Sequence, residues 1–349
     1  MDSKKNFEVE KKLSVLDAFK AFFFVIIIMI AMSLILNFVL GQIASVQNVD
    51  IEVVQNSTLG VFLTYSLSAL SFIIFFFVYN KCINVKNKFV ISDGQKISLL
   101  PVSIAMVLAI ICIFLFTPFV YLLEYLFDVP AADIPLKEEM SNSLGYFGLG
   151  VLIFALLPAI GEELVFRGII LRGLSSRFNG FVSIFITSLI FTLIHGSIDQ
   201  TIYQFIVAVL LGYLAYVGGS LVYSVILHFL NNLLVILFGC FDIVGYLSER
   251  PFYFNIFSMI FPIMLFLLGL FLVAVLMWVL RYLRNKNFFR YVPKKKKSKK
   301  SEIIEEEPEK VGFGGFWKSL SFHEKVFMFG GIGIAFLIWL MGTITTLAG

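Results

Sequence analysis

Charge is the scarcest property of this sequence. Only 14% of its 349 residues are Asp, Glu, Lys or Arg, against about 25% in soluble domains. So few charges cannot cover a water-facing surface, which excludes a soluble enzyme and a nucleic-acid-binding domain. Cysteine is scarce as well. Cys82, Cys112 and Cys240 are widely separated, with neither a CxxC pair nor a metal-type spacing. That excludes a disulfide-stapled secreted scaffold, and no disulfide is expected. No HExxH occurs among the three histidines, and the chain has no internal repeat.

Apolar length fills the space that charge leaves. The mean hydropathy is +0.95. Uncharged spans cover 21–49, 54–80, 97–123, 140–161, 178–198, 200–241, 251–280 and 326–349. Each can cross a hydrocarbon core of ~30 Å as a helix, and 200–241 is long enough for two crossings. The fold class is therefore an all-α, polytopic transmembrane bundle, with helices expected at 19–42, 58–80, 97–123, 145–176, 181–197, 201–217, 220–239, 252–280 and 326–347. The first apolar run is too long for a signal-peptide core and reads as a retained signal anchor. The 41 phenylalanines, with abundant Ile, Lys and Asn, suggest an AT-rich bacterial genome.

Orientation follows from Lys and Arg, which cytoplasmic loops retain. With the N-terminus inside, the inner segments 1–20, 81–96, 167–177 and 281–325 hold 25 of the 27 basic residues. The outer segments hold only Lys137 and Arg250. This predicts a multi-pass protein of the cell membrane with a cytoplasmic N-terminus, nine crossings and the C-terminus outside. The outer loop 124–142 carries Glu124, Asp128, Asp133, Glu138 and Glu139, with Pro130 and Pro135 opposing regular structure.

Composition divides the chain into an N-terminal cytoplasmic segment with three helices (1–140), a polar-bearing core (141–280), a charged linker (281–325) and a last helix (326–349). The linker joins Lys294–Lys297, Lys299 and Lys300 to an acidic Glu305–Glu307 run. Such a block is expected to be disordered. A second reading of Lys294–Lys300 is attraction to anionic lipids, worth ~1 kcal/mol per basic residue at a membrane surface. The last helix reads as an appendage to an eight-helix core.

Ionisable groups inside membrane helices are expensive and are functional candidates by default. Residues 145–240 contain Glu162, Glu163, Arg167, His195, His228, Asn231 and Asn232. Pro158 removes a backbone donor, so a kink or restart is expected there. That would put Glu162 and Glu163 in the first turns of a half-helix, at its positive end. Arg167 is four residues after Glu163 and shares its face, but it is five after Glu162. Glu163–Arg167 thus reads as an ion pair, leaving Glu162 free to face a cavity; the alternative is a charge cluster made for packing alone. His195 taken singly fits the general case of a lone His in an apolar helix, which is more often a hydrogen-bonded core residue than a catalyst. His228 and Asn232 are four apart and can converge on one small group.

Depth links these residues. Glu163 and His195 each lie 16 residues from Asn179, ~24 Å along a helix, whereas His228 is only ~13 Å past Gly219. The levels agree if the first hairpin projects ~10 Å further toward the cytoplasm, which predicts a cavity nearer that face and a fifth helix short on its outer side.

Glu162-Glu163-x-x-x-Arg167, Phe191-x-x-x-His195 and His228-x-x-x-Asn232, in this order, resemble the CPBP family. These are the CAAX-protease and bacteriocin-processing intramembrane proteases, also called the Abi family and related to the type II CAAX prenyl endopeptidase. The resemblance covers about 145–240. It implies that Glu162 is the catalytic base, that Glu163 and Arg167 support the helix geometry, that His195 shares activation of the water, and that His228 and Asn232 stabilise the oxyanion. It implies an endopeptidase acting on a peptide or membrane-associated protein, with no cofactor. Such residues suit amide hydrolysis, which needs a base for water and donors for the oxyanion.

Two alternatives stand beside this reading. Glu162, His195 and His228 could form a His₂Glu zinc site with water as fourth ligand. The same fold could also be a non-catalytic membrane receptor or scaffold. A transporter is disfavoured by the lack of repeated halves.

Overall fold

The computed structural model describes residues 12–87, 91, 97–127, 134–196, 198–241, 256–285 and 310–348. The apolar runs fold as helices, because only a helix satisfies its own backbone where water is absent. In chain order these are α1 (Val15–Gln47), α2 (Ile51–Gln55), α3 (Thr58–Cys82), α4 (99–127), α5 (Lys137–Asn142), α6 (Leu144–Leu174), α7 (Gly180–Leu193), α8 (Ile198–Gly218), α9 (Leu221–Cys240), α10 (Ile256–Asn285), α11 (Phe313–Ser319) and α12 (Phe322–Ala348). Among the described residues no strand forms, only one isolated bridge between Phe178 and Val311. Eight helices (α1, α3, α4, α6, α8, α9, α10 and α12) are long and apolar enough to cross a membrane.

Local chemistry sets the boundaries. Ser14 and Asp17 form a capping box at the start of α1: Ser14 N and Oγ donate to Asp17 Oδ2 at 3.0 and 2.7 Å, and Asp17 N donates to Ser14 Oγ at 3.2 Å. Asn179 caps α7 and Ser220 caps α9 through their side-chain oxygens; each such cap is worth about 1 kcal/mol. Exposed Leu34, Ile35, Phe38, Leu267 and Phe271 turn outward, as lipid-facing residues should.

Helix α6 is the centre of the bundle and touches α1, α3, α7, α8 and α9. Helix α12 lies along α1 in the same direction. Lys20 sits over the Phe327 ring, 5.4 Å from its centroid, and Gly330 and Gly331 admit Phe23 and Phe22. Appended in sequence, α12 is integral in packing.

Two expectations change. The helix expected over 181–197 ends at Leu193, and its 14 residues reach only ~21 Å, less than a bilayer core. Gly196, at φ +65°, turns the chain there, so eight helices rather than nine have spanning length among the described residues. The linker is also partly ordered. Helix α10 continues to Asn285, and Val311 exchanges backbone hydrogen bonds with Arg177 and Asn179 at 3.0 Å each. Arg177 donates to both oxygens of Glu324 at 2.8 Å, while Phe316 packs on Phe178. The charge block hid these apolar flanking anchors. Lys294–Lys300 and Glu305–Glu307 lie outside the described residues, as do Asp128, Pro130, Asp133 and Arg250. The three cysteines are free.

Candidate active site

The site is assembled on α6, α7, α8 and α9. Helix α6 does not restart at Pro158. It runs continuously through two π-helical stretches, Val151–Leu156 and Leu164–Leu171, on either side of an α-helical segment Leu157–Glu163. The proline is absorbed by the wider turn before it, where Leu157 N donates to Leu152 O. The glutamates therefore sit at the end of a helical segment inside a continuous helix. No free N-terminus favours their charge, and the dipole argument lapses. Such π-helical turns are frequent at functional sites.

Glu163 and Arg167 form the expected pair. Arg167 Nη1 donates to Glu163 Oε1 at 2.7 Å, and both side chains are 0% exposed. Arg167 Nη2 donates to Ala208 O of α8 at 3.0 Å, and the guanidinium lies 4.5 Å from the Phe191 ring centroid. Glu163 Oε1 also accepts from His228 Nδ1 at 3.1 Å. One buried carboxylate thus fixes both Arg167 and the α9 histidine.

That bond removes the need for a projecting hairpin. Gly180, which begins α7, packs on Tyr216 near the end of α8, so the α6–α7 and α8–α9 turns share one level. Residues 175–179 form the turn and cap and add little height, and the π-helical stretch advances less per residue than an α-helix. The count from Asn179 therefore placed Glu163 too deep. His195 does reach deeper, in the turn after Leu193, where its N donates to Thr192 O.

A cavity of about 540 Å³ is lined by Glu162, His195, His228 and Asn232 together, with Asn231 beside them. Glu163 and Arg167 lie behind its wall. Glu162 is 15% exposed, and its Oε2 stands 3.8 Å from His228 Nε2, beyond hydrogen-bonding distance. His195 Nδ1 bonds to Phe191 O at 2.8 Å. A carbonyl can only accept, so Nδ1 carries the proton, leaving the Nε2 lone pair of the neutral ring available. By the same logic His228 Nδ1–H donates to Glu163. Asn232 Nδ2 donates to Phe154 O at 3.3 Å, the carbonyl four residues before Pro158, to which the proline has no N–H to offer.

Tyr203, Gln200 and Gln204 on α8 form a further polar wall that the sequence reading passed over. Tyr203 Oη donates to Asn231 Oδ1 at 2.7 Å. Two glutamines four apart in a membrane-spanning helix were the available signal. Among the described residues no group of three or more His, Cys, Asp and Glu side chains is placed to hold a metal ion.

Residues 145–234 match the model of a protein family described as Type II CAAX prenyl endopeptidase Rce1-like. The match begins on α6 and ends on α9, covers all three motifs, and agrees with the family those motifs resemble. It supports a protease embedded in the membrane. No curated protein and no solved structure matches the chain.

Proposed function

We propose that the chain is an intramembrane endopeptidase that hydrolyses a peptide bond with water activated by Glu162 and His195. The observation that carries this reading is the convergence of Glu162, His195, His228 and Asn232, from three separate parts of the chain, on one cavity. Glu162 Oε2 and His195 Nε2 are acceptors, as activation of water requires. The water gives its proton to Glu162, its oxygen bonds to the substrate carbonyl carbon, and the carbonyl electrons move onto oxygen. His228 Nε2–H, in the imidazolium form, and the second N–H of Asn232 hold that oxyanion. Collapse breaks the C–N bond, and the proton passes from Glu162 to the leaving amine. Glu163 and Arg167 touch neither water nor substrate in this scheme; they hold His228 and α6 in place.

In this reading Glu162 and His195 act on the water directly, and zinc held by Glu162, His195 and His228 is the competing reading. The experiment is cleavage of a peptide library by the detergent-purified protein. Glu162→Gln is expected to lower turnover about 10²–10⁴-fold, the range for loss of a general base, with the fold retained. Chelator is expected to leave the wild type active. Loss with chelator and rescue by zinc would replace this mechanism with a metalloprotease. Equal cleavage by Glu162→Gln and wild type would remove Glu162 from the chemistry.

A further inference from the structure

Helix α8 carries several polar side chains, and the fold itself uses only some of them. Thr201 Oγ1 accepts from Trp339 Nε1, and Tyr203 Oη donates to Asn231 Oδ1 at 2.7 Å. Gln200 and Gln204 are different. Both line the same cavity as Glu162, His195, His228 and Asn232, and among the described residues neither side-chain amide has a protein partner. An amide in a membrane-spanning helix is costly to leave unpaired, so two of them on one cavity wall call for a ligand with polar groups of its own.

Their spacing limits what that ligand can be. Residues four apart on a helix share a face, with Cβ atoms ~5–6 Å apart. A peptide in extended form advances ~3.3 Å per residue, so groups on one edge of its main chain recur every ~6.6 Å. Along that edge every second residue presents both its N–H and its C=O. A glutamine amide has an acceptor oxygen and an NH₂ donor, so each can take the N–H and serve the C=O of one such residue. Ala208, a further four residues along α8, has its carbonyl held by Arg167 at 3.0 Å. Gln204 and Gln200 therefore lie about one and two turns from the Glu163–Arg167 pair, on one face of α8. A chain with its reacting carbonyl at Glu162 would reach Gln204 about two residues away and Gln200 about four. The lining contributed by α1 and α3 includes Met29, Ala69 and Phe72, apolar groups suited to side chains instead.

We propose that Gln200 and Gln204 form a main-chain subsite that holds an extended peptide along α8. This rests on the peptidase reading and carries it from the chemistry to the substrate: the segment beside the cut bond is read by its backbone, as in strand addition to a sheet edge. A helical segment does not suit the subsite, because its main-chain N–H and C=O groups are already paired with one another. A substrate helix therefore has to be unwound over about four residues next to the cut bond. At the two positions that face the glutamines, recognition is indifferent to side-chain identity.

Binding tests the subsite without any need for turnover. A library of short peptides is screened for binding to the detergent-purified Glu162→Gln protein, and the tightest binder is N-methylated at one main-chain nitrogen at a time. Each methyl group removes one N–H and keeps the side chain. Two positions, two residues apart, are expected to lose about tenfold in affinity, the size of one desolvated hydrogen bond, while the residue between them tolerates the change. Gln204→Met on the same background, close to glutamine in size, should reduce the penalty at the position nearer the cut bond to about twofold or less. Gln200→Met should do the same at the other position. A penalty spread evenly along the peptide, a pattern that both Met variants retain, or no binding by any peptide would overturn the proposal. A peptide that binds with the expected pattern but is not cleaved by the wild type would refute the peptidase reading and leave the subsite standing. Cleavage that depends on Glu162, with no such pattern, would do the reverse.

Discussion

Glu163 and Arg167 place two charges where neither meets solvent, and removing full ions from water costs several kcal/mol each. The cost is offset in part: Glu163 Oε1 takes Arg167 and His228, and Arg167 takes Ala208 O and the face of Phe191, while Glu163 Oε2 and Arg167 Nε have no hydrogen-bond partner. Breaking one side of such a pair is more damaging than never having had it. Arg167→Met should lower stability by about 3–5 kcal/mol, read as the midpoint of SDS-induced unfolding in detergent. Glu163→Gln alone should be comparably harmful, since it strands the guanidinium. The double variant Glu163→Gln/Arg167→Met should recover much of the loss, because the introduced amide oxygen would still accept from His228 Nδ1. Additive losses would mean that the two residues act independently. The pairing was legible in sequence because i, i+4 spacing survives into the π-helical stretch. The link to His228, 65 residues away, was not, since no local pattern records it.

At the scale of one helix, α6 shows what periodicity conceals. Apolar spacing reads the same for an α-helix and for one with π-helical turns, so Pro158 was visible in the sequence but the way the chain absorbs it was not. The consequence is a shared duty for Asn232. One of its N–H groups serves Phe154 O, and in the proposed mechanism the other holds the oxyanion. Asn232→Leu should therefore cost about 1–3 kcal/mol of stability through the unpaired carbonyl and about 10²–10³ in kcat through the lost donor. Pro158→Ala separates the two. It supplies a backbone N–H that meets the same carbonyl once the wide turn tightens to α-helical spacing, so on that background Asn232→Leu should cost little stability and the same kcat. If kcat returned along with stability, Asn232 would be a positioning residue only. The depth arithmetic failed for a related reason: it gave every residue between Glu163 and Asn179 α-helical rise, although 175–179 form a turn and cap and Leu164–Leu171 is π-helical. The identity of the helices and the four cavity residues survived that error because residue type, not height, selected them.

Across the whole molecule, the short α7 leaves a stretch of irregular backbone at membrane depth, which is tolerated only when protein covers it. Helix α12 supplies the cover. It is fixed at one end by Arg177 on Glu324 and at the other by Trp339 Nε1 donating to Thr201 Oγ1 at 2.8 Å. Between these anchors it runs parallel to α7. Gly342 meets the backbone of Gly196 so closely that a Cβ there would collide with Gly196 O, one residue after His195. A side chain at 342 must push the turn, and with it the imidazole, toward the cavity, and misplacing a reacting group by about 1 Å can cost 10²-fold. Gly342→Val should therefore lower kcat by about 10–100-fold with little change in KM, since the cavity walls on α4 and α9 are untouched. Gly333→Val, at a glycine with nothing within 4 Å of its Cβ position, should leave both constants unchanged and controls for a β-branched residue in α12. A proportional loss of folded protein, with the kcat of the remainder intact, would reduce α12 to a structural prop. A selective fall in kcat would make a helix outside the 145–234 match part of how His195 is held.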